Sequence, residues 1–220
     1  MSRTRMTRSP DKASRDRNEL DQLLDEVPLA HVGFSTDEGP VVIPTAAARD
    51  GDRLMVHGST GSQWMRRLAT GVPACAAVTS VDAVVVARSG FESSYRYRSA
   101  VMFGCFTPLD GEEKHRALDL FVDRLIPGRV AEIRPNTSRE LAATLLLALP
   151  LNEWSLRVSK DWPEDGDDDV SGPAWAGIVP MTTAYGDPLP APDLRNEIQV
   201  PASLNRLRAV APSNARAVTS

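Results

Sequence analysis

One stretch of the chain combines the end of a strand, several small hydroxyl residues and the start of a helix. It runs His-Gly-Ser-Thr-Gly-Ser-Gln-Trp-Met-Arg-Arg-Leu from residue 57 to residue 68. Amide groups at the N-terminus of a helix carry partial positive charge and bind phosphate. The hydroxyls of Ser59, Thr60 and Ser62 would add neutral hydrogen bonds, and Arg66 or Arg67 would add charge. The stretch predicts a phosphate cradle. The alternative is that Ser59 and Thr60 only cap the helix.

A second stretch, from residue 87 to residue 104, is a polar aromatic loop that leads into an apolar strand. Its arginines Arg88, Arg96 and Arg98 stand beside Tyr95 and Tyr97. Guanidinium groups neutralise anions and aromatic rings stack on planar groups, so the stretch predicts contacts to an anionic, planar ligand. The alternative is an ordinary loop between strands, whose arginines pair with nearby carboxylates.

Other kinds of catalytic site are missing from the sequence. The histidines His31, His57 and His115 are scattered, and there is neither a Walker loop nor a glycine fingerprint between a strand and a helix. Cys75 and Cys105 lie in apolar runs, where a thiol is most often a small buried hydrophobe. We therefore expect no metal centre, no disulfide and no nucleotide triphosphatase.

Composition limits the class of protein further. The chain has 220 residues, of which 42% are hydrophobic, and this is enough for one domain with a substantial core. Its formal net charge of -4 argues against nucleic acid as a partner. Arginines are frequent before residue 17 but no apolar stretch follows them, so we expect neither a secretion signal nor a membrane span. These observations favour a cytoplasmic protein.

Short runs of apolar and β-branched residues, separated by turn residues, predict a mainly β protein with some helices, an α+β fold. The predicted strands span 29–35, 40–48, 53–57, 72–79, 83–88, 99–107 and 152–159, and the predicted helices span 16–27, 61–69, 112–126 and 137–149. The last helix begins with capping-box spacing at Thr137 and Glu140 and ends before Pro150. Several short antiparallel strands with one helix between them indicate a small barrel.

The order of these elements and three motifs resemble the FMN-binding split-barrel superfamily, in particular the pyridoxamine 5'-phosphate oxidase-related and nitroimidazole-resistance proteins. The motifs are the His-Gly-Ser strand end at residue 57, the Tyr-Arg-Ser-Ala-Val-Met-Phe-Gly strand at residue 97 and the Pro-Ala-Trp-Ala-Gly-Ile-Val-Pro segment at residue 173. The resemblance extends from about residue 18 to about residue 181. It implies a six-stranded antiparallel split β-barrel with flanking helices that forms a homodimer, with one FMN in each of two grooves between the subunits.

The resemblance also implies which residues bind the cofactor. By position, one strand lies against the flavin ring, a strand end and helix start surround the phosphate, a second strand faces the cofactor, and a tryptophan closes the groove, from either subunit. These residues are Val42, Ile43, Pro44, Thr45, His57, Gly58, Ser59, Ser62, Gln63, Arg67, Tyr97, Arg98, Ser99 and Trp175. The corresponding division of the chain is a disordered basic leader over 1–16, the FMN-binding domain over 17–182 and a poorly ordered tail rich in Pro, Ala and Arg over 183–220.

Two positions depart from the family pattern. Gln63 stands where relatives commonly have a basic residue, and Glu92 and Ser93 stand where the relatives closest in pattern often carry histidines. The function that the resemblance implies is an FMN-dependent oxidoreductase acting on an unidentified small substrate, with no catalytic side chain needed. One alternative is a flavin or haem carrier or sensor without turnover, in which His57 would bind iron. A second is a dimeric interaction module without a cofactor.

Overall fold

The computed structural model describes residues 3–195 and 197–209, which form a curled antiparallel sheet with helices packed around it. The helices are α1 (Arg17–Glu26), α2 (Gln63–Ala69), α3 (Gly111–Leu125), α4 (Ser138–Ala143), α5 (Asp167–Val170) and α6 (Ala202–Ala209). The strands are β1 (Ala13–Ser14), β2 (Leu29–Thr36), β3 (Gly39–Asp50), β4 (Arg53–Ser59), β5 (Pro73–Val86), β6 (Ser94–Cys105), β7 (Thr107–Pro108), β8 (Thr144–Pro150), β9 (Trp154–Val158) and β10 (Gly177–Pro180).

The strands follow the order β1-β9-β6-β5-β2-β3-β4-β8-β7, and β10 adds to β5. Every strand pair of the described residues is antiparallel. The sheet curls into a half-barrel, since residues of β8 and of β6, near its opposite ends, contribute to one core. This core includes Met102 and Leu149, and Leu20, Leu23 and Met65 of α1 and α2 complete it. Burial of these side chains supplies most of the driving force for the curl.

A second, smaller core lies on the outer side of the sheet, beneath α3. Phe121 and Ala117 of that helix pack against Ala48, Met55 and Leu146. The helix is amphipathic, and its charged face remains in solvent. As a result, α3 covers the outer face only over β4, β8 and the last part of β3.

The leucine-rich run after Ala143 is a strand, and the prediction of one helix from 137 to 149 is wrong in its second half. The capping box of Thr137 and Glu140 is present, but the helix ends at Ala143. The run then pairs with β4 from Thr144 to Pro150. Both of its faces are buried, one in the main core and one under α3. A run that is apolar on both faces has no periodicity that separates a helix from a buried strand.

The mainly β architecture with helices is confirmed, whereas the expected number of strands, six, is not. The predicted strands 72–79 and 83–88 are one continuous strand, β5, with a register shift between Val81 and Ala83. The division into leader, domain and tail stays a prediction. Within the leader, Ala13–Ser14 pairs with β9, and within the tail, 202–209 is helical; residues 1–2, 196 and 210–220 lie outside the described part. No helix in the described ranges has the length and apolar character needed to cross a membrane.

Candidate functional site

The strands β3 and β4 separate at the position where the sequence predicts the cofactor. β3 pairs with β2 from Gly39 to Ala46, but it pairs with β4 only from Ala47 to Asp50. Within the described residues, two strand edges therefore have no strand partner. One is the edge of 39–46 that faces away from β2, and the other is the edge of 57–59 that faces away from β8. Backbone groups on such an edge keep their hydrogen-bonding capacity for a ligand. The structure thus brings the predicted residues 42–45 and 57–59 to the two sides of one split.

The side chains on the β3 side of the split alternate in direction. Val42 and Pro44 point outward, and Val42 is 63% exposed. Ile43 points inward against the main core, and Thr45 pairs with the fully buried Ala30. A ligand at the split can therefore contact the backbone edge of β3 and its outward side chains, while Ile43 packs in the core.

The helix α2 begins immediately beside the split. The Ser59 hydroxyl accepts a hydrogen bond of 3.1 Å from the Gly61 amide, and the Thr60 hydroxyl donates one to the carbonyl of Ala143. These two hydroxyls therefore stabilise the turn before α2, but neither caps the helix, whose N-cap residue is Ser62. The hydroxyl of Ser62, the residue before the helix, forms no hydrogen bond within the described ranges.

The first amides of α2 also have no partner inside the helix, as in every helix. Gln63 and Arg67 are both exposed and lie one turn apart on the same side of α2. The Arg67 guanidinium forms no ion pair and no hydrogen bond with any residue within 3–195 or 197–209. The start of α2, with Ser62, Gln63 and Arg67, can therefore receive an anionic group such as a phosphate.

Gly58 permits this arrangement, since α2 packs closely on β4 at this point. A Cβ at Gly58 would lie 3.0 Å from Cγ of Met65, a fully buried side chain of α2. A side chain at this position would require Met65 to shift by a few tenths of an ångström. The contribution of Gly58 to the site is thus the position of α2.

His57 lies on the outer side of β4, at the edge of the region that α3 covers. Its ring contacts Phe121 edge to face, with the centroids 4.5 Å apart. Burial lowers the pKa of His57. The ring is therefore neutral at neutral pH and keeps a nitrogen lone pair. An apolar cavity of about 150 Å³ adjoins it, bounded by Leu24, Pro28 and Ala46.

The outer face of the sheet beside the split is largely apolar. Paired residues of antiparallel strands project to the same side. One row across the sheet consists of Pro44, His31, Ala77, Val101 and Ser155, and the next consists of Val42, Gly33, Cys75 and Phe103. No described helix covers this face, and Leu29 at its edge is 53% exposed.

The predicted residues on β6 point to opposite sides of the sheet. Tyr97 and Ser99 project to the outer face, where Ser99 pairs with Arg157 of β9. Arg98 points inward and is 8% exposed. Since β2 and β5 separate β3 from β6, Tyr97 lies at least about 14 Å from β3 of its own chain, at about 4.8 Å per strand.

Arg98 is the centre of a buried charged network. Its Nε and Nη2 donate to the two carboxylate oxygens of Asp82, at 2.9 and 3.0 Å, and Nη2 also donates to Glu26 at 2.8 Å. The Ser80 hydroxyl donates to Asp82 at 2.8 Å. Burial alone would lower the pKa of Arg98, but the bonds to Asp82 and Glu26 raise it. Arg98 thus remains charged, with carboxylate partners from two elements.

Trp175 lies far from the split of its own chain. It precedes β10, whose Gly177 pairs with Val86 at the end of β5. Ala77, which faces β2, is nine residues earlier on β5, up to about 30 Å away at about 3.3 Å per residue. The tryptophan is 66% exposed. Within one chain, the predicted residues of β3, β4 and α2 therefore lie together, whereas Tyr97, Ser99 and Trp175 lie apart from them.

Two residues that sequence reasoning did not place in the site lie next to predicted ones. His31 is exposed on the outer face between Pro44 and Ala77. The Arg157 guanidinium lies 5.0 Å from the ring centre of Tyr97. The alternation of β2 could have pointed to His31, whereas no sequence signal connects residue 157 with residue 97.

Comparisons with known proteins agree on one family. The family model for pyridoxamine 5'-phosphate oxidase matches residues 16–158. The FAD and heme binding protein from Mycobacterium smegmatis is 50% identical, with 92% of this chain and 98% of that chain covered and a TM-score of 0.88. The flavocytochrome Anf3 from Azotobacter vinelandii is 32% identical, with 94% and 97% covered and a TM-score of 0.87.

A more distant structure supports the fold alone. It is a protein ascribed to 5-nitroimidazole antibiotic resistance in Bacteroides thetaiotaomicron, 18% identical over 66% of this chain and 86% of that chain, with a TM-score of 0.56. No curated protein matches the sequence. The resemblance inferred from the motifs is confirmed, and this chain belongs to the pyridoxamine 5'-phosphate oxidase family.

Proposed function

We propose that this protein is a flavin-dependent oxidoreductase that binds its flavin at the split between β3 and β4. The observation that carries the proposal is the pair of unpartnered strand edges at 42–45 and 57–59, next to the start of α2. The relatives from M. smegmatis and A. vinelandii are named as an FAD and heme binding protein and as a flavocytochrome, which supports the same assignment.

The residues at the split match the chemical groups of a flavin. The ring system of a flavin has hydrogen-bonding atoms on its edge and apolar faces, and β3 offers backbone groups beside the outward side chains of Val42 and Pro44. Ser62, Gln63, Arg67 and the first amides of α2 would bind the phosphate. Gln63 adds a neutral contact in place of a charged one, and Arg67 would supply the positive charge one turn later.

The sequence predicts FMN, and the relatives extend the proposal to FAD. FAD contains the whole of FMN and adds an adenylate, so the same split would hold the flavin and its first phosphate in either case. The M. smegmatis relative, 50% identical, is named for FAD. We therefore propose FAD as the preferred form, with FMN as the form to be distinguished from it by analysis of the bound cofactor.

When bound, the flavin would supply the hydride or electron transfer itself. The chain would bind and orient it through the β3 backbone edge and would exclude water from one side through the apolar outer face. No side chain is required as a general acid or base. A small electron-poor compound, such as a nitro compound, a quinone or an amine, is the substrate class that this arrangement suits.

We further propose a cytoplasmic homodimer. The exposed apolar rows around His31 and Gly33 would be covered by the same face of a second copy, which removes apolar surface from water. Tyr97, Ser99 and Trp175, which do not reach the split of their own chain, would then approach that of the partner. Sedimentation at micromolar protein concentration tests the dimer, and a stable monomer would contradict it.

The first experiment is the absorption spectrum of the purified protein before and after incubation with FAD and FMN, followed by gel filtration. Flavin bands that co-elute with the protein would support the proposal, and chromatography of the released cofactor would identify FAD or FMN. A Gln63→Arg variant should bind flavin more tightly than the wild type, because it adds a charge at the phosphate. A protein that retains neither flavin would contradict the proposal.

Haem binding is a second candidate, favoured by the names of the relatives from M. smegmatis and A. vinelandii. A histidine that binds haem iron must be a neutral imidazole, and burial lowers the pKa of His57 and so favours its neutral form. The cavity at His57, about 150 Å³, is however smaller than the 300 Å³ or so of small-molecule sites, so a single chain does not enclose a haem there. His31 on the open face is the other candidate ligand.

A haem spectrum decides between these positions. If the protein carries haem, the Soret band should shift or vanish in only one of the variants His57→Ala and His31→Ala, with His115→Ala as the control on α3. A protein that shows flavin bands but no Soret band after reconstitution with haem would exclude this candidate.

A further inference from the structure

A cleft of about 530 Å³ lies at the end of β6 and β9, apart from the split between β3 and β4. Its walls come from the N-terminal segment at 8–12, the loop at 91–94 and the segment at 159–164. We call it the β6–β9 cleft. The volume is within the range of small-molecule sites, roughly 300 to 1,000 Å³.

The guanidinium of Arg157 in this cleft has no carboxylate partner within the described ranges. Arg157 is half-buried, and its Nε is buried without a hydrogen-bond partner among the described residues. No ion pair to Arg157 exists in those ranges either, whereas Arg88, Arg96 and Arg98 each have an oxygen partner. A partly desolvated guanidinium without an anion is unfavourable. This is the arrangement of a group that receives its anion from a ligand.

Aromatic rings surround the charged group. The Tyr97 ring lies 5.0 Å from Cζ of Arg157, and Tyr95 and Trp162 line the same cleft with 57% and 67% exposure. Phe91, on its rim, is 92% exposed. Exposed rings of this size are typical of surfaces on which a planar base stacks. The cleft thus combines the Arg157 cation with stacking surfaces.

The other charges of the cleft are distributed unevenly. Lys12 is neutralised by Asp161 at 2.6 Å, so neither adds net charge. Arg8 adds a second cation from the N-terminal segment, and Glu92 and Glu164 add carboxylates from the two loops. A phosphate would be repelled by these carboxylates, and an amino group would be attracted. The ligand should carry both groups, at opposite ends.

We propose that the β6–β9 cleft binds an adenylate group, with the phosphate on Arg157 and the purine on Tyr95 and Trp162. Adenine has an amino group that can donate a hydrogen bond to Glu92 or Glu164, and a face that stacks. The adenylate belongs either to FAD bound at the proposed flavin site of the partner subunit, which Tyr97 would approach in the proposed dimer, or to a separate adenine nucleotide. The first source rests on the proposed function and the second does not. Ser99, which pairs with Arg157, connects the cleft to the residues predicted to face the flavin.

Binding of AMP, measured by titration calorimetry with the full chain, tests the proposal. The variant Arg157→Gln removes the charge and keeps much of the length of the side chain, and Arg157→Lys retains the charge if the first variant folds poorly. Arg139→Gln is the matched control, since Arg139 is exposed on α4 and has no ion pair among the described residues. Adenosine, which lacks the phosphate, is the control ligand.

We expect AMP to bind the wild type and Arg139→Gln alike, and to bind Arg157→Gln at least about tenfold more weakly, the effect of losing a charge-assisted hydrogen bond. Arg157→Lys should lie between them, and the affinity for adenosine should be unchanged. Equal AMP affinity in Arg157→Gln and Arg139→Gln would overturn the proposal. So would a wild type that binds no AMP at millimolar concentration and whose FAD affinity does not depend on Arg157.

The same variants distinguish the two sources of the adenylate. If the cleft holds the adenylate of FAD, Arg157→Gln weakens FAD about tenfold and leaves FMN unchanged, and FAD displaces AMP. If it holds a separate nucleotide, Arg157→Gln and Arg139→Gln should bind FAD with the same affinity and should also bind FMN with the same affinity. A protein that binds AMP through Arg157 but binds no flavin would contradict the proposed function and support the cleft. A protein that binds flavin, but whose affinities for AMP and FAD do not depend on Arg157, would support the proposed function and contradict the proposal for the cleft.

Discussion

The buried network around Arg98 should be required for stability, and its disruption has a size that can be worked out from its contacts. We consider Asp82→Asn, which keeps the shape of the side chain and removes its charge. Asp82 is 3% exposed and Arg98 is 8% exposed, so the pair is shielded from water. In the variant, Arg98 loses a carboxylate that accepts two of its hydrogen bonds, at 2.9 and 3.0 Å.

Removal of one partner from a buried ion pair costs about 3–5 kcal/mol. Glu26 still accepts a bond of 2.8 Å from Arg98, and the amide oxygen that Asp82→Asn introduces can accept one more, so we expect the low end, about 3 kcal/mol. For a chain of this size, about 3 kcal/mol lowers the Tm by roughly 6–12 °C. Urea unfolding followed by circular dichroism measures the free energy, and differential scanning calorimetry measures the Tm.

The matched control is Glu197→Gln, which breaks the ion pair with Arg195. This pair is exposed, since the side chain of Glu197 is 68% exposed and that of Arg195 is 74% exposed. This variant should leave the Tm unchanged, since exposed pairs contribute little. If Asp82→Asn costs less than about 1 kcal/mol, the network does not hold Arg98 as described. If instead it leaves stability intact and abolishes flavin binding, Arg98 faces the cofactor, as the sequence predicts.

Three further predictions concern the site. Burial lowers the pKa of His57 in the folded state, so the unfolded chain binds more protons at acidic pH, and the free energy of unfolding should fall as the pH drops below about 6.5. The difference in this slope between the wild type and His57→Gln, from urea unfolding at several pH values, measures the effect, and identical slopes would refute it. Gly58→Ala should displace α2, with a cost of about 1–3 kcal/mol and weaker flavin binding, because its methyl group meets Met65; Gly58→Ala combined with Met65→Ala should recover part of the binding. Ala77→Arg, in the centre of the open face, should give a monomer in sedimentation without unfolding the chain, and a dimer of unchanged affinity would show that this face is not the interface.

Much of the fold could be predicted from local patterns. The alternation of exposed and buried residues along 29–35 and the turns at 37–38 and 51–52 give the hairpins of β2, β3 and β4, since a half-buried strand must alternate. The amphipathic helix after Asp110 and the capping box at Thr137 could be predicted in the same way. These features depend on neighbours within a few residues, and the sequence shows such neighbours directly.

Other features had no local signal. The leucines after Ala143 favour a helix by propensity, but β4 lies beside them and α3 lies above, so the strand is stabilised by burial on both faces. The role of Arg98 also had no local signal, because its partners Asp82 and Glu26 belong to another strand and to a helix.

The sequence by itself determined the family, the mainly β architecture and the stretches that could bind a phosphate and a flavin ring, because motif order and local polarity are properties of the chain. Only the tertiary structure decided which of those residues meet. It united 42–45 with 57–59 across a split, kept Tyr97 and Trp175 apart from them, and placed Arg157 beside Tyr97. The physical reason is that strand order and the curl of a sheet follow from the burial of the whole core, to which residues far apart in sequence contribute together.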